Sequence, residues 1–337
     1  MIAAVLAFSD TGLALGERLA SFWRQTGDDA VLTRCEKGML KKWTKAHFHG
    51  DALVFIGSCG IAVRAIAPFL TNKTGDPAVI VIDEGATFVV SLLSGHIGGA
   101  NDLAVGLARF LGATPVVTTA TDIHGVFAID AWAARRGYAI ANPERIKTVS
   151  ARLLAGETVR LQSDFPIAGN LPAGIVLCGA GANITVTHET GKNAETLRLI
   201  PPVLTLGVGC KAGTGEKTIQ QAFASLLEKA GCHASAVARV CSIDLKAKEA
   251  GLLAFCQRHD LPFVTFSAAE LMEVPGDFTA SAFVRQVTGA DNVCERSAVL
   301  GSGENGRLLA GKTTANGVAL ALAIAPVTLE FDEVEPA

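Results

Sequence analysis

Residues 83 to 102, DEGATFVVSLLSGHIGGAND, hold the residue types that proton transfer and anion binding need. Asp83 and Glu84 lead into an apolar stretch, Phe88–Leu93. That stretch opens into Ser94, Gly95, His96, Gly98 and Gly99, and an amphipathic run follows from Asn101 to Leu111. A glycine-rich turn at a helix start presents backbone N–H groups and the positive end of the helix dipole. Such a turn is an anion site. With an imidazole, His96, in the turn and carboxylates close in sequence, anion binding and proton transfer can share one place. The bland alternative stands beside this one: the glycines serve a tight turn and His96 braces it.

Two further strand–glycine–helix junctions share the pattern. One is Gly57–Arg64, with Gly60 and Arg64. The other is Gly207–Lys217, with Gly209, Cys210, Lys211 and Lys217. All three are expected at C-terminal strand ends, where open α/β sheets bind ligands. Lys246 and Lys248 fall near the start of a helix expected over Leu245–His259, where they oppose its dipole unless an anion lies nearby. With Lys312 added, the cations predict a multiply anionic ligand. Cys59 and Cys210 sit in glycine loops, but a nucleophilic thiol needs a base that sequence does not locate, so packing is the favoured role.

Several other patterns are set aside. Gly207–Gly213 is one residue off the dinucleotide fingerprint and lacks the acidic residue that ribose binding needs. Gly306–Thr313 matches the P-loop pattern, yet its centre reads as a strand and no helix follows. His47 and His49 have no partner at ligand spacing, so no protein-bound metal is expected. Glu295-Arg296 reads as a surface ion pair.

The elements that must position these residues follow from composition and periodicity. The chain has 337 residues, enough for two or three domains. Half are hydrophobic and only 18% are charged, and mean hydropathy is +0.38, so much of the chain should lie in sheets covered on both faces. Net charge is −3 with no long basic block, and aromatics are 6%, which argues against nucleic acid as a partner. The eight cysteines form no CxxC pair and no secretory leader is evident, which suits reduced thiols in the cytoplasm. The apolar run Val318–Ala325 is too short to span a membrane.

Strand and helix alternate from Ile2 to Arg136 and again after Pro201-Pro202, with short strand-like pieces between. The expected fold is α/β: two mostly parallel-sheet, helix-covered (Rossmann-like) domains and a small middle domain. The expected boundaries are an N-terminal domain over 1–139, a middle domain over 140–201, a C-terminal domain over 202–327 and a frayed acidic tail over 328–337.

Several motifs, in this order, resemble one family. Asp83-Glu-Gly85, Leu92–Leu103 (LLSGHIGGANDL) and Thr118–Asp122 (TTATD) resemble the N-terminal region of cobalt-precorrin-5A hydrolases, the CbiG family, as does Gly57–Pro68. Gly207–Lys211, Ser242–Lys246, Val293–Arg296 and Lys312–Val318 resemble its C-terminal domain. The resemblance implies an enzyme of anaerobic cobalamin biosynthesis that opens a δ-lactone on a cobalt macrocycle and expels a two-carbon fragment as acetaldehyde. It implies a cobalt-corrinoid substrate that carries its own metal, and no cofactor. For that reaction His96 or Glu84 would be the general base and the Gly98 and Gly99 N–H groups the oxyanion donors. Arg64, Lys211, Lys217, Lys246 and Lys312 would hold the substrate's carboxylates, and a macrocycle this wide would fill one cleft shared by the two large domains. A homodimer is compatible with the reading. The rivals are a corrinoid-binding or channelling protein without catalysis and a nucleotide-binding enzyme.

Overall fold

The computed structural model describes residues 1–72, 75–191 and 195–331. Among these, three main sheets follow one another along the chain. The first is built from β1 (Ile2–Ala7), β2 (Asp29–Arg34), β3 (Ala52–Ile56), β4 (Ala78–Ile82), β5 (Phe88–Leu93) and β6 (Thr114–Val116), in the order β2-β1-β3-β4-β5-β6. Its helices are α1 (Asp10–Thr26), α2 (Leu40–His47), α3 (Cys59–Ile66) and α4 (Ala100–Leu111), followed by α5 (Ala120–Ile123) and α6 (Ile129–Arg135). The residues of β3 and β4 are wholly buried, as two-sided cover requires.

One reversal decides where functional loops point. Strands β1 to β4 run parallel, but β5 is antiparallel to β4, and β6 runs with β5. The connection Asp83–Thr87 is too short for a crossover and closes a hairpin instead. Asp83 builds it, accepting hydrogen bonds from the backbone N–H groups of Thr87 at 2.9 Å, Phe88 at 2.6 Å and Gly85 at 3.2 Å. Burial alone would raise the Asp83 carboxyl, but these donors hold it below its ordinary value.

The middle sheet contains β7 (Ala139–Ile140), β8 (Val159–Ser163), β10 (Ile175–Leu177), β11 (Ile184–Val186) and β12 (Leu197–Ile200), ordered β10-β8-β11-β12-β7 and flanked by α7 (Ile146–Leu154). A short strand, β9 (Ile167–Ala168), lies outside it. The third sheet contains β13 (Leu204–Cys210), β14 (Val237–Ile243), β15 (Phe263–Phe266), β16 (Arg307–Ala315) and β17 (Val318–Ile324), ordered β15-β14-β13-β17-β16. Strands β13 to β15 are parallel, and β16 and β17 are antiparallel. Its helices are α8 (Glu216–Ala230), α9 (Ala250–His259), α10 (Ala268–Glu273), α11 (Ala282–Thr288) and α12 (Cys294–Gly301). The α/β class is therefore present in parallel-rich sheets.

Packing redraws the edges of these units. Ile129, Trp132 and Ala133 of α6, grouped by the sequence with the first unit, join the core of the middle and third sheets. The described part of the acidic tail is not frayed. Leu329–Glu330 forms β18 beside β9, and Phe331 stacks on Trp132 with centroids 4.5 Å apart and planes 3° apart. Burial of Leu329 and Phe331 outweighs the acidity of their neighbours. The rest of the expected tail lies outside the described residues.

Helix α12 is absent from the sequence-based expectation. Its residues, CERSAVLG, show no amphipathic stripe because nearly the whole helix is enclosed. It crosses β13 so closely that a Cβ at Gly207 would fall 1.8 Å from the carbonyl oxygen of Cys294. Gly207 thus serves helix–sheet contact, not an anion loop. Glu295 and Arg296 are likewise buried, not a surface pair. Glu295 accepts from the Thr279 and Lys312 backbone N–H groups, both at 2.7 Å, and from Asn292 Nδ2 at 2.5 Å. Arg296 instead pairs with Asp291, its Nε donating at 2.8 Å.

Candidate active site

The loop after β5 is fixed by its small residues. A Cβ at Gly95 would fall 2.6 Å from Asn101 Oδ1, and one at Gly98 would fall 2.5 Å from the Ser94 Cβ. Gly99, at φ 77°, is the N-cap of α4, and Ser94 also adopts a positive φ of 58°. Ser94 Oγ donates to the Asp76 carbonyl at 3.0 Å. The Gly99 N–H donates to the His96 carbonyl at 2.9 Å, so the expected oxyanion donor at Gly99 is consumed inside the loop.

His96 is clamped between two carboxylates. Its Nδ1 lies 3.1 Å from Asp130 Oδ2 and its Nε2 lies 3.0 Å from Asp122 Oδ2, with Thr121 Oγ1 at 3.1 Å. The hydrogen bond to Asp130 is the largest influence. With the charges of both carboxylates, it raises the imidazole pKa from 6.5 to about 9, against the opposing effect of burial. The two carboxylates therefore favour the imidazolium at neutral pH, a form that suits a proton donor. Burial would raise the Asp130 carboxyl, but the His96 hydrogen bond and charge hold it down. Asn101 completes the cluster, donating to Thr119 Oγ1 at 2.9 Å and to Asp122 Oδ2 at 3.1 Å while its Oδ1 accepts from Ser91 at 2.7 Å. A cavity of about 490 Å³ opens beside it, lined by residues that include Ser91, Ser94, Gly95, His96, Thr119 and Asp130.

Asp122 and Asp130 were not among the expected site residues. Asp122 had a signal, since it closes the Thr118–Asp122 motif and follows β6, which runs parallel to β5. Asp130 had none, because it arrives from α6, whose apolar residues Ile129, Trp132 and Ala133 serve another core.

Glu84 does not join His96. It follows β4, where Ile82 pairs with Val89 at the start of β5. His96 follows the end of β5, where Leu93 pairs with Val79. The two lie at opposite ends of the sheet, roughly 17 Å apart along the strands. Glu84 instead accepts from Ser9 Oγ at 2.6 Å. The Gly57–Arg64 loop belongs to that same far end, its Gly57 N–H donating to the Ile82 carbonyl at 2.8 Å, and Gly60 and Arg64 are exposed there.

The C-terminal candidates do converge. Gly209, Cys210, Lys211, Lys246 and Lys312 line one cavity of about 510 Å³. The Lys211 N–H donates to the Gly317 carbonyl at 3.1 Å, while the Lys211 stem runs across Gly317 in the β16–β17 turn. Lys246 lies in a separate 3₁₀ turn before α9, not in that helix's first turn, and its Nζ pairs with Glu249 at 2.9 Å. The expected conflict with the helix dipole thus does not arise. Lys312 is held through its backbone by Glu295 at 2.7 Å. Lys217 is exposed at the start of α8 and does not line the cavity. Burial raises the Cys210 thiol and pushes Cys294 up to about 12, so neither is a ready thiolate. The P-loop match lies in β16, a hairpin strand.

Among the described residues the two cavities have separate linings. The His96 cavity takes no lining residue beyond Asp130, and the lysine cavity takes none before Gly209. Together the two sites define a class: an α/β protein with a carboxylate–imidazolium cluster in one unit and a lysine-rimmed recess in another, equipment suited to an anionic small molecule.

Comparison with known proteins narrows that class. Residues 42–122 match the family model described as Cobalamin synthesis G N-terminal, residues 127–201 the Cobalamin biosynthesis central region, and residues 204–323 the Cobalamin synthesis G C-terminus. The cobalt-precorrin-5A hydrolase of Salmonella typhimurium is 32% identical, covering 96% of this chain and 97% of its own. The protein of that name from Priestia megaterium is 31% identical, covering 96% and 95%. A solved cobalamin biosynthesis protein G homologue from Sulfolobus solfataricus is 22% identical, covers 96% of each chain and has a TM-score of 0.43. The chain belongs to the cobalamin synthesis G family, that of the cobalt-precorrin-5A hydrolases.

Proposed function

We propose that the protein opens the δ-lactone of cobalt-precorrin-5A and releases acetaldehyde, leaving cobalt-precorrin-5B, in the cytoplasm. Full-length similarity to two hydrolases of that name supports the substrate. The observation that carries the chemistry is the clamping of His96 between Asp122 and Asp130. Asp122, the more exposed carboxylate, accepts a proton from the water that attacks the lactone carbonyl. Once protonated, Asp122 releases the His96 Nε2–H, which then donates to the oxyanion. As the acyl C–O bond breaks, His96 protonates the departing alkoxide.

The freed hydroxyl then sits on the carbon that bears the methyl group. Removal of its proton forms a C=O bond, and the bond from that carbon to the macrocycle breaks. The electron pair stays on the macrocycle, which takes up a proton, and acetaldehyde leaves. No oxidant or reductant enters this sequence, and no cofactor is invoked; the cobalt belongs to the substrate. Lysines hold the peripheral carboxylates through charge-assisted hydrogen bonds of about 1.5–3 kcal/mol each.

Incubation of the purified protein with cobalt-precorrin-5A, with acetaldehyde trapped and quantified, tests the reading. Stoichiometric release is expected. Intact substrate after prolonged incubation with folded protein would refute it.

A further inference from the structure

Resting on that corrinoid reading, we infer that the C-terminal cavity seats one face of the macrocycle on an apolar platform formed by Phe283 and Val287. Helix α11, which carries both, has no buried residue. Phe283 is 73% exposed and Val287 61% exposed. Four residues apart on one helix, they share a face, and both line the recess that Lys211, Lys246 and Lys312 rim. Leu245, 65% exposed, adds to the apolar lining of the recess.

Large apolar side chains gathered at a cavity mouth stay in water only at a cost that a ligand removes by covering them. The lining also includes small residues, Gly209, Ala212 and Ala319, and two thiols, Cys210 and Cys294, that burial keeps protonated. It contains no carboxylate. Glu249 accepts from the Gly213 N–H at 2.8 Å through one oxygen and pairs with Lys246 at 2.9 Å through the other, without lining the recess. A flat apolar body with anionic groups on its periphery fits this combination. Neither an extended peptide nor an inorganic anion would use both features.

The platform also assigns a division of labour. The C-terminal unit grips the ring face and its carboxylates, while proton transfer belongs to the His96 cluster. Specificity then has two separable parts, an apolar one on α11 and an ionic one on the lysines.

Titration of the full-length protein with two stable probes tests this, following their visible absorbance. One probe is a dicyano-cobalt corrinoid with free peripheral carboxylates, and the other is its peripherally amidated counterpart. The carboxylate probe should bind at least ~10-fold more tightly, and the difference should shrink with added salt. Lys211→Ala with Lys312→Ala should erase the difference. Phe283→Ser with Val287→Ser should weaken both probes by ~10-fold or more, and because both side chains are exposed the melting temperature should hold. Unchanged binding by the α11 double variant, equal affinity for the two probes, or displacement of the probe by ATP would each overturn the inference. If the predicted binding pattern appears without acetaldehyde release, the platform stands and the reaction fails. If acetaldehyde is released but the double variant binds as wild type, the reaction stands and the platform fails.

Discussion

At the scale of single residues, the decisive fact is the protonation of His96. Two carboxylates within 3.1 Å hold its pKa at about 9, so the imidazolium persists through neutral pH. If the imidazolium is the acid in the reaction, turnover should fall as pH rises through about 9. A turnover profile that instead rises through pH 6 to 7 would mean that His96 works as a neutral base.

The same shift bears on stability. A histidine whose pKa is higher folded than unfolded stabilises the fold fully below its ordinary value of 6.5, and that contribution is lost as pH climbs to about 9. The shift corresponds to about 3 kcal/mol. His96→Asn should therefore flatten the decline in denaturant midpoint between pH 6.5 and 9. Parallel profiles for the variant and the wild type would show that the clamp contributes nothing.

Asp122 and Glu84 separate the two ends of the first sheet. Asp122→Asn should lower turnover by ~10²-fold or more, since an amide accepts no proton. Glu84→Gln, at the far end of β5, should leave turnover within a few-fold of wild type. The reverse ranking in a single-turnover assay would move the chemistry to the Ser9–Glu84 end.

At the scale of elements, two features reposition the candidate residues. The hairpin between β4 and β5 turns the His96 loop away from the other strand ends, and β6 follows in the same direction to deliver Asp122. In the C-terminal unit, α12 supplies what no surface loop supplies: a buried carboxylate, Glu295, that fixes the Lys312 backbone at an irregular point of β16. Close passage of α12 over β13 demands glycine at 207. Gly207→Ala should destabilise by about 3 kcal/mol, because the new methyl group meets backbone and not a yielding side chain. An unchanged urea midpoint would mean that α12 does not pack where it is described.

At the scale of the whole molecule, α6 and the chain end tie the units together. Helix α6 contributes Asp130 to His96, its Arg135 pairs with Asp102 of α4 at 2.9 Å, and its apolar face enters the middle core. The chain returns past β18, where Phe331 stacks on Trp132 and the Trp132 Nε1–H donates to the Glu330 carbonyl at 3.2 Å. Phe331→Ala should cost about 3 kcal/mol, in the range for a large-to-small change at a buried aromatic. A change below roughly 0.5 kcal/mol, the surface value, would return the tail to the frayed state its acidity suggests.

Read alone, the sequence determined the parts that local pattern controls. Alternation of apolar runs with glycine turns located the strands of the first and third sheets, because backbone period and turn chemistry act over a few residues. It also named Gly209, Cys210, Lys211, Lys246 and Lys312 as candidates, but together with Arg64 and Lys217, which fall outside the cavity those five line. The direction of β5 was not legible, because an apolar strand has the same period either way. Only pairing with β4 set His96 apart from Glu84 and beside Asp122. Helix α12 was hidden because burial by polar satisfaction leaves no amphipathic stripe, and Asp130 because its partner lies 34 positions away. The protonation of His96 was likewise left to the tertiary structure, because a pKa is set by the charges that folding brings within hydrogen-bond reach.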